Sequence, residues 1–276
     1  MKAALVQLSV TDDPVKNLPV TLEFIREAAA GGAQMIATPE CTNLISSDRA
    51  YQREVLHHEH NDPTLAAMRQ EAERLGVYVL IGSLCLKTED DDGRFANRSF
   101  LIGRKGAIRA SYDKIHMFDL DVSETERYRE SEGYRPGKQA VLAPSKYGLI
   151  GMSICYDLRF PHLYRQLAQA GAKMLTIPAA FTAGTGRAHW EVLVRARAIE
   201  NSCFVLAPAQ CGTHGAHEGR PRKTWGHSLA VNPWGDVLAD GGTEPGVSLV
   251  DINLDEVETT RERLRSLFHD RSYEAP

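Results

Sequence analysis

The sequence predicts an α/β fold in which mixed β-sheets are covered by helices on their outer faces. Three observations lead there. Short apolar, β-branched runs alternate with amphipathic helical stretches, an antiparallel meander interrupts that alternation, and 276 residues suffice to bury roughly three quarters of the surface of the unfolded chain. The composition is that of an average globular protein, with 43% hydrophobic and 25% charged residues and a net charge of −4. No Pro-, Gly- or Ser-rich linker, repeat or low-complexity tract divides the chain, so 1–276 reads as one domain.

The first strand is expected over 3–8. Asp13-Pro14 then opens a helix, because an aspartate accepts hydrogen bonds from unpaired first-turn amides and proline fits that turn. Leu18, Leu22, Ile25 and Ala29 recur at spacings of four, three and four along one helical face, and Gly31-Gly32 stops the helix near Ala30. A second strand over 34–38 is broken by Pro39, which leaves Glu40 just beyond a strand end. Asp62-Pro63 opens a helix that closes at Gly76, and the short run 77–83 follows as a buried strand. The acidic turn 90–93 leads to a strand over 98–102, and Lys105-Gly106 leads to another over 107–112, which completes the meander with Lys114 at its exit.

Periodicity is lost from 115 to 138. Strands resume over 140–142 and 149–155 around Lys146-Tyr147-Gly148, so that Cys155 ends a buried strand, and a helix follows over 161–170. Next come a strand over 174–177, a helix over 189–201 and a strand over 204–209. A hairpin of 227–232 with 237–239 around Pro233-Trp234-Gly235, a strand over 247–252 and a charged helix over 255–267 complete the chain.

Several function classes are disfavoured. The longest apolar runs, such as 77–81, fall far short of the ~18 residues of a membrane-spanning helix, and Met1-Lys2 leads straight into a strand without a signal-peptide core. Five cysteines (Cys41, Cys85, Cys155, Cys203 and Cys211) with no C-x-x-C pair argue against a disulfide framework or zinc knuckle and for a reducing cytoplasm. The slightly acidic balance offers nothing to nucleic acid, and Arg220-Pro221-Arg222-Lys223 is too short to change that. His57-His58-Glu59-His60 lacks a second ligand group at helical spacing, so a solvated helix face is expected and no metal. Trp190 and Trp234 read as packing residues, and Glu191 with Arg195 as a surface pair.

Three residues invite a chemical reading. Cys155 at a strand-to-helix junction lies where α/β folds collect ligands, and helix N-terminal amides favour a thiolate, although a buried cysteine serves equally as a small apolar residue. Glu40, beyond its own strand, falls at the same sheet edge. Burial raises a carboxylate pKa, which would bring Glu40 closer to the value a thiol-deprotonating base needs. Lys114 adds a fixed positive charge for an oxyanion. Asp157 and Arg159 read equally as a local ion pair.

Thr38-Pro39-Glu40, Tyr112-Asp113-Lys114-Ile115-His116-Met117-Phe118-Asp119 and Ser153-Ile154-Cys155-Tyr156-Asp157-Leu158-Arg159-Phe160-Pro161 stand in that order, 74 residues separating 40 from 114 and 41 separating 114 from 155. In these motifs the chain resembles the nitrilase superfamily of carbon-nitrogen hydrolases, over essentially its whole length. The resemblance implies a four-layer α-β-β-α sandwich, a Glu40-Lys114-Cys155 triad and the Tyr156 amide as a second oxyanion donor. It also implies a second glutamate seven residues before the Pro-Gly glycine, here Glu130, with Glu132 as its surface-exposed rival. Phe181 to Trp190, Arg195 to Asn201 and Ala209 to Gly212 are most similar to deaminated glutathione amidases and omega-amidases, which act on amides of 2-oxo dicarboxylic acids. In that group the residues at Arg159, Phe181 and Thr185 line the substrate pocket. The segment from Ser123 to Tyr134 departs from the group in being more charged.

The expected activity is hydrolysis of a small carboxylate-bearing carboxamide to acid and ammonia through a cysteine thioester, with no metal or organic cofactor. Omega-amidase, N-carbamoyl amino acid hydrolase and nitrilase activities are alternatives on the same residues, and a silent binding module or a Cys-His protease are more distant ones. The loop from Gly212 to Thr224 is a lid candidate. The segment from about 253 is expected at a subunit interface of a homodimer or higher homo-oligomer, as the family suggests.

Overall fold

The computed structural model describes residues 1–121, 127–215 and 221–276. Residues 122–126 and 216–220 lie outside the described residues, and with them parts of the charged segment 123–134 and of the lid candidate 212–224. The chain begins with strands β1 (Lys2–Gln7), β2 (Met35–Ala37), β3 (Tyr78–Leu86), β4 (Ala96–Ile102) and β5 (Ile108–Asp113). A small hairpin, β6 (Asp119–Asp121) with β7 (Arg127–Arg129), precedes β8 (Val141–Ser145), β9 (Gly148–Met152), β10 (Ala172–Thr176) and β11 (Phe204–Ala207). A second hairpin, β12 (Cys211–His214) with β13 (Arg222–Trp225), is followed by β14 (Leu229–Val231), β15 (Val237–Asp240) and β16 (Gly246–Asp251).

Two six-stranded sheets result, ordered β16-β1-β2-β3-β4-β5 and β15-β14-β11-β10-β9-β8. Helices α1 (Pro14–Ala30) and α3 (Pro63–Leu75) cover the first, and α4 (Pro161–Gln169) and α5 (Ala183–Asn201) cover the second. Alternation along β1 builds the layers. Ala3 and Leu5 enter a core shared with Ile150, Met152 and Met174 of the facing sheet. Ala4 and Val6 turn the other way, onto Ile25 and Ala28 of α1 and Met68 and Ala72 of α3. Both faces are buried, which is why β1 reads as an unbroken apolar run. The four layers are those of the expected α-β-β-α sandwich.

Local signals place the helix ends well. The Asp13 side chain accepts from the Val15 and Lys16 amides, Asp62 accepts from Leu65, and Gly76 ends α3 at φ +66°. Other expectations need correction. Strand β9 ends at Met152, so Cys155 is not the last residue of a strand but opens a five-residue 3₁₀ turn, Cys155–Arg159. Helix α5 starts at Ala183, not 189: Gly184 and Gly186 are poor helix formers, but Gly186 lies so close to Trp225 that a Cβ would fall 2.4 Å from it. The sequence reading also missed α2 (Arg49–Val55), a seven-residue helix in which Gln52 is the only fully buried residue and only Tyr51 and Val55 lean on a small apolar cluster, too short a pattern to register as a helical period. Helix α6 (Asp255–Arg263) stops short of 267, and a 3₁₀ turn, Arg265–Phe268, follows it. That turn packs on α4 of its own chain, where Arg165 and Gln169 donate to the Leu267 carbonyl at 3.1 Å each.

An ion-pair cluster ties α1 to α3. Arg74 and Arg26 both hydrogen-bond Glu71, Arg26 Nε at 2.7 Å, and together they pull its pKa to about 2 from the ordinary 4.5. The folded pKa is the lower one, so this contribution is present above about 4.5 and is lost as pH falls toward 2. Urea titrations should find Glu71→Gln less stable than wild type at pH 7 and equal to it near pH 2. A difference that persists undiminished at pH 2 would assign the loss to packing instead.

Candidate active site

Each reactive side chain stands one to three residues beyond a strand and is locked there by long-range contacts. Glu40 follows β2, and its chain segment lies against Gly82 of β3 so tightly that a Cβ would meet the Thr38 and Pro39 carbonyl oxygens at 2.0 and 2.4 Å. Gln210 Nε2 donates to the Glu40 carbonyl at 3.0 Å. Lys114 follows β5; its amide donates to Asn97 O at 3.0 Å and its carbonyl accepts from the Gly137 amide at 2.7 Å. Cys155 sits at φ +48°, a left-handed conformation uncommon for a residue with a side chain, and its amide donates to Pro178 O at 2.9 Å. Gly82→Ala is expected to displace Glu40 and lower kcat by about 100-fold, the effect of a misplacement near 1 Å. Steady-state kinetics beside a thermal melt checks this, and wild-type turnover in the variant would contradict the placement argument.

The buried Asp157 carboxylate joins two of the motifs. It accepts from the Ile154 amide at 2.8 Å beside Cys155, and from Tyr112 Oη at 2.7 Å and the His116 amide at 3.0 Å on either side of Lys114. His116 Nδ1 lies 2.7 Å away as well. Asp157 is therefore engaged here, and not in an ion pair with Arg159.

Lys114 Nζ is 2.9 Å from Glu40 Oε1 and 2.9 and 2.8 Å from the two Glu130 carboxylate oxygens. Asn97 Nδ2 donates to Glu40 Oε1 at 2.9 Å and to Glu130 Oε1 at 3.4 Å, Ala180 N donates to Glu40 Oε2 at 2.8 Å, and Phe118 N donates to Glu130 Oε2 at 2.6 Å. Glu132 is exposed. Asn97 escaped the sequence reading, because the polar start of β4, Asn97-Arg98-Ser99, gives no sign of which of its side chains turns inward.

The electrostatics differ from the sequence expectation. Burial alone would raise the Glu40 pKa, but the Lys114 ammonium, the Arg222 guanidinium and hydrogen bonds from Cys155 and Lys114 outweigh it and hold the carboxyl below its ordinary value. Burial and then the Glu40 charge push the Cys155 thiol well up, against the opposing pull of Lys114. Burial disfavours the Lys114 charge, yet Glu130 and Glu40 keep it well above the usual lysine value. At neutral pH the site thus holds a thiol, an ionised carboxylate hydrogen-bonded to it and an ammonium ion.

These groups open onto a cavity of about 600 Å³, lined by Glu40, Lys114, Glu130, Cys155, Tyr156, Phe181 and Thr185 among others. Arg159 is not among the residues that line it, contrary to expectation. Its guanidinium lies over the rings of Phe181 and Tyr156, 5.4 and 5.8 Å from their centres, with Nη2 3.2 Å from His189 Nδ1. Besides Lys114, the positive charges of the cavity wall come instead from Arg49, Arg127, Arg129, Arg222 and Lys223. His58 and Glu59 of the histidine cluster are engaged elsewhere, with Glu89 and Arg98.

The profile of the family described as carbon-nitrogen hydrolase matches residues 2–262. The chain belongs to this family. A deaminated glutathione amidase of Yersinia enterocolitica is 39% identical over 97% of this chain and 92% of its own. Among solved structures, the Caenorhabditis elegans NitFhit protein superposes with a TM-score of 0.88 at 34% identity, over 98% of this chain and 65% of that longer one. Saccharomyces cerevisiae Nit3, a member of the nitrilase superfamily, gives 0.83 at 26% identity over 96% and 94%. This carbon-nitrogen hydrolase is accordingly a hydrolase of non-peptide C–N bonds, and among its described residues no helix is long and apolar enough to cross a membrane.

Proposed function

We propose that this carbon-nitrogen hydrolase cleaves a small carboxylate-bearing amide of the deaminated-glutathione type through a thioester on Cys155. The observation that carries this reading is the buried Cys155 thiol beside an ionised Glu40, with Lys114 held between Glu40 and Glu130 and a cationic cavity in front. Glu40 takes the Sγ proton as sulfur attacks the amide carbon, and the oxyanion is met by Lys114 Nζ and the Tyr156 amide. The Cys155 amide is engaged by Pro178 O, which leaves the next amide of the turn for this task. The C–N bond then breaks as Glu40 returns the proton to nitrogen. Water, deprotonated by Glu40, attacks the thioester, and the departing sulfur regains its proton. Glu130 orients Lys114, while Phe181 and Thr185 shape the acyl pocket.

With a primary amide the leaving amine is ammonia; with deaminated glutathione it is the amino group of a cysteinyl-glycine unit, so the ammonia expected from the sequence is only one of two products. The test is product formation from a panel of deaminated glutathione, 2-oxoglutaramate, a nitrile and an N-carbamoyl amino acid. Preference for either oxo-acid amide supports the reading, and turnover confined to the nitrile or carbamoyl compound overturns it. The reading further takes the chain as a single catalytic domain, cytoplasmic and homo-oligomeric, with the segment from about 253 at a subunit contact. Exposed Phe268 and Trp234 support the last point, and sedimentation velocity at micromolar concentration checks it, a monomer counting against it.

A further inference from the structure

We infer that Arg222 on β13, rather than Arg159, receives a substrate carboxylate in this site; the inference rests on the amidase reading above. Arg222 lines the cavity, and its Nη2 donates to Ala180 O at 2.6 Å, on the residue whose amide holds Glu40. The guanidinium is thereby fixed one peptide away from the anchor of the base. Its guanidinium lies 5.8 Å from the centre of the Tyr128 ring, and its Nε is buried without a partner, as is that of Arg159, but only Arg222 of the two lines the cavity; among the described residues no carboxylate oxygen lies within 4 Å of the Arg222 group. Glu40 does not fill that role, because its oxygens are taken by Lys114, Asn97 and the Ala180 amide.

The other cavity arginines are committed. Arg127 and Arg129 share Asp121 at 3.7 and 2.8 Å, while Arg49 donates to Gln52 and lies over the Tyr134 ring. A partly buried guanidinium with unused donors is costly, and a carboxylate is the planar partner that matches its fork with two parallel hydrogen bonds. Deaminated glutathione offers two such groups, one on the acyl part and one on the leaving amine, and 2-oxoglutaramate only the first.

The experiment compares kcat/KM of wild type and Arg222→Gln on three amides: one with a carboxylate on the acyl side, one with a carboxylate on the amine side, and a neutral one. The acid-to-neutral ratio should fall by roughly 30-fold to several thousandfold in the variant, as when one partner of a desolvated charge pair is truncated. Each ratio is taken within one preparation, so misfolded protein cancels. A loss confined to one acid assigns the carboxylate to that side. Equal losses on acidic and neutral amides would overturn the inference and leave Arg222 only its grip on Ala180. Arg222→Lys, which keeps the charge but not the fork, serves if the Gln variant does not accumulate, with about tenfold expected in the same ratio. A readout free of turnover is protection of Cys155 from iodoacetamide by glutarate, scored by intact mass. Protection should demand a far higher glutarate concentration in Arg222→Gln, and an unchanged requirement would also overturn the inference. If wild type hydrolyses no amide, the amidase reading fails, and the protection experiment still decides the role of Arg222.

Discussion

Cys155→Ala is expected to lose amide hydrolysis by on the order of 10⁵- to 10⁶-fold while keeping its fold, because it removes the sulfur on which the proposed thioester forms. The structure makes the fold half of this prediction specific. Cys155 is buried at φ +48°, and an alanine there keeps the Cβ and so inherits the same backbone strain. The Pro178 O acceptor of the Cys155 amide and the Asp157 clamp on Ile154 and His116 do not involve the sulfur. Thermal unfolding should therefore shift by no more than a few degrees. Quenched wild-type enzyme should carry the substrate acyl mass on Cys155, and the variant should carry none. Retained turnover by Cys155→Ala would refute the thioester mechanism outright.

Glu40→Gln keeps the size of the side chain and removes the proposed base, and the acylation rate should fall by several orders of magnitude. The pH dependence sharpens the test. Lys114 and Arg222 hold the Glu40 carboxyl below the ordinary 4.5, so wild-type acylation should lose rate only as pH drops below about that value, where the carboxylate becomes protonated. This acid limb should disappear from the residual rate of the variant. The substitution also leaves Lys114 with Glu130 as its one remaining carboxylate partner among the described residues, which costs stability. Single-turnover acylation measured beside a melt separates the two effects. A Glu40→Gln protein that acylates at the wild-type rate would move the base to another residue.

Much of the fold was legible because its signals are local. Asp13, Asp62 and Gly76 act on amides and carbonyls within a few residues of themselves, so the helix limits follow from short stretches of chain. Where tertiary contacts set the boundary, the reading slipped. The first turn of α5 is held by the fit of Gly186 against Trp225, 39 positions apart in numbering from 186 to 225, and α2 is anchored by Gln52 on Ser46 and Tyr134, with only Tyr51 and Val55 on a small apolar cluster. Within the site, Glu40, Lys114, Glu130 and Cys155 stood out as reactive types at strand ends or in family motifs. Asn97 and Arg222 lie on strands whose inward direction depends on register, and register is decided by pairing with distant chain.

By itself the sequence determined the alternation of elements, the order of the three motifs and the presence of a carboxylate, an ammonium and a thiol shortly after strands, since these depend on backbone preference and side-chain chemistry. Only the tertiary structure decided the sign of the Glu40 shift and which arginines face the cavity. Both are sums over groups brought from remote parts of the chain. Lys114 and Arg222 reach Glu40 from the end of β5 and from β13, and their charges, with the hydrogen bonds from Cys155 and Lys114, outweigh the burial that would otherwise raise its pKa. Arg159, four residues from Cys155 in sequence, turns instead onto Phe181 and His189, because a long flexible side chain follows the ring faces and acceptors that packing places around it.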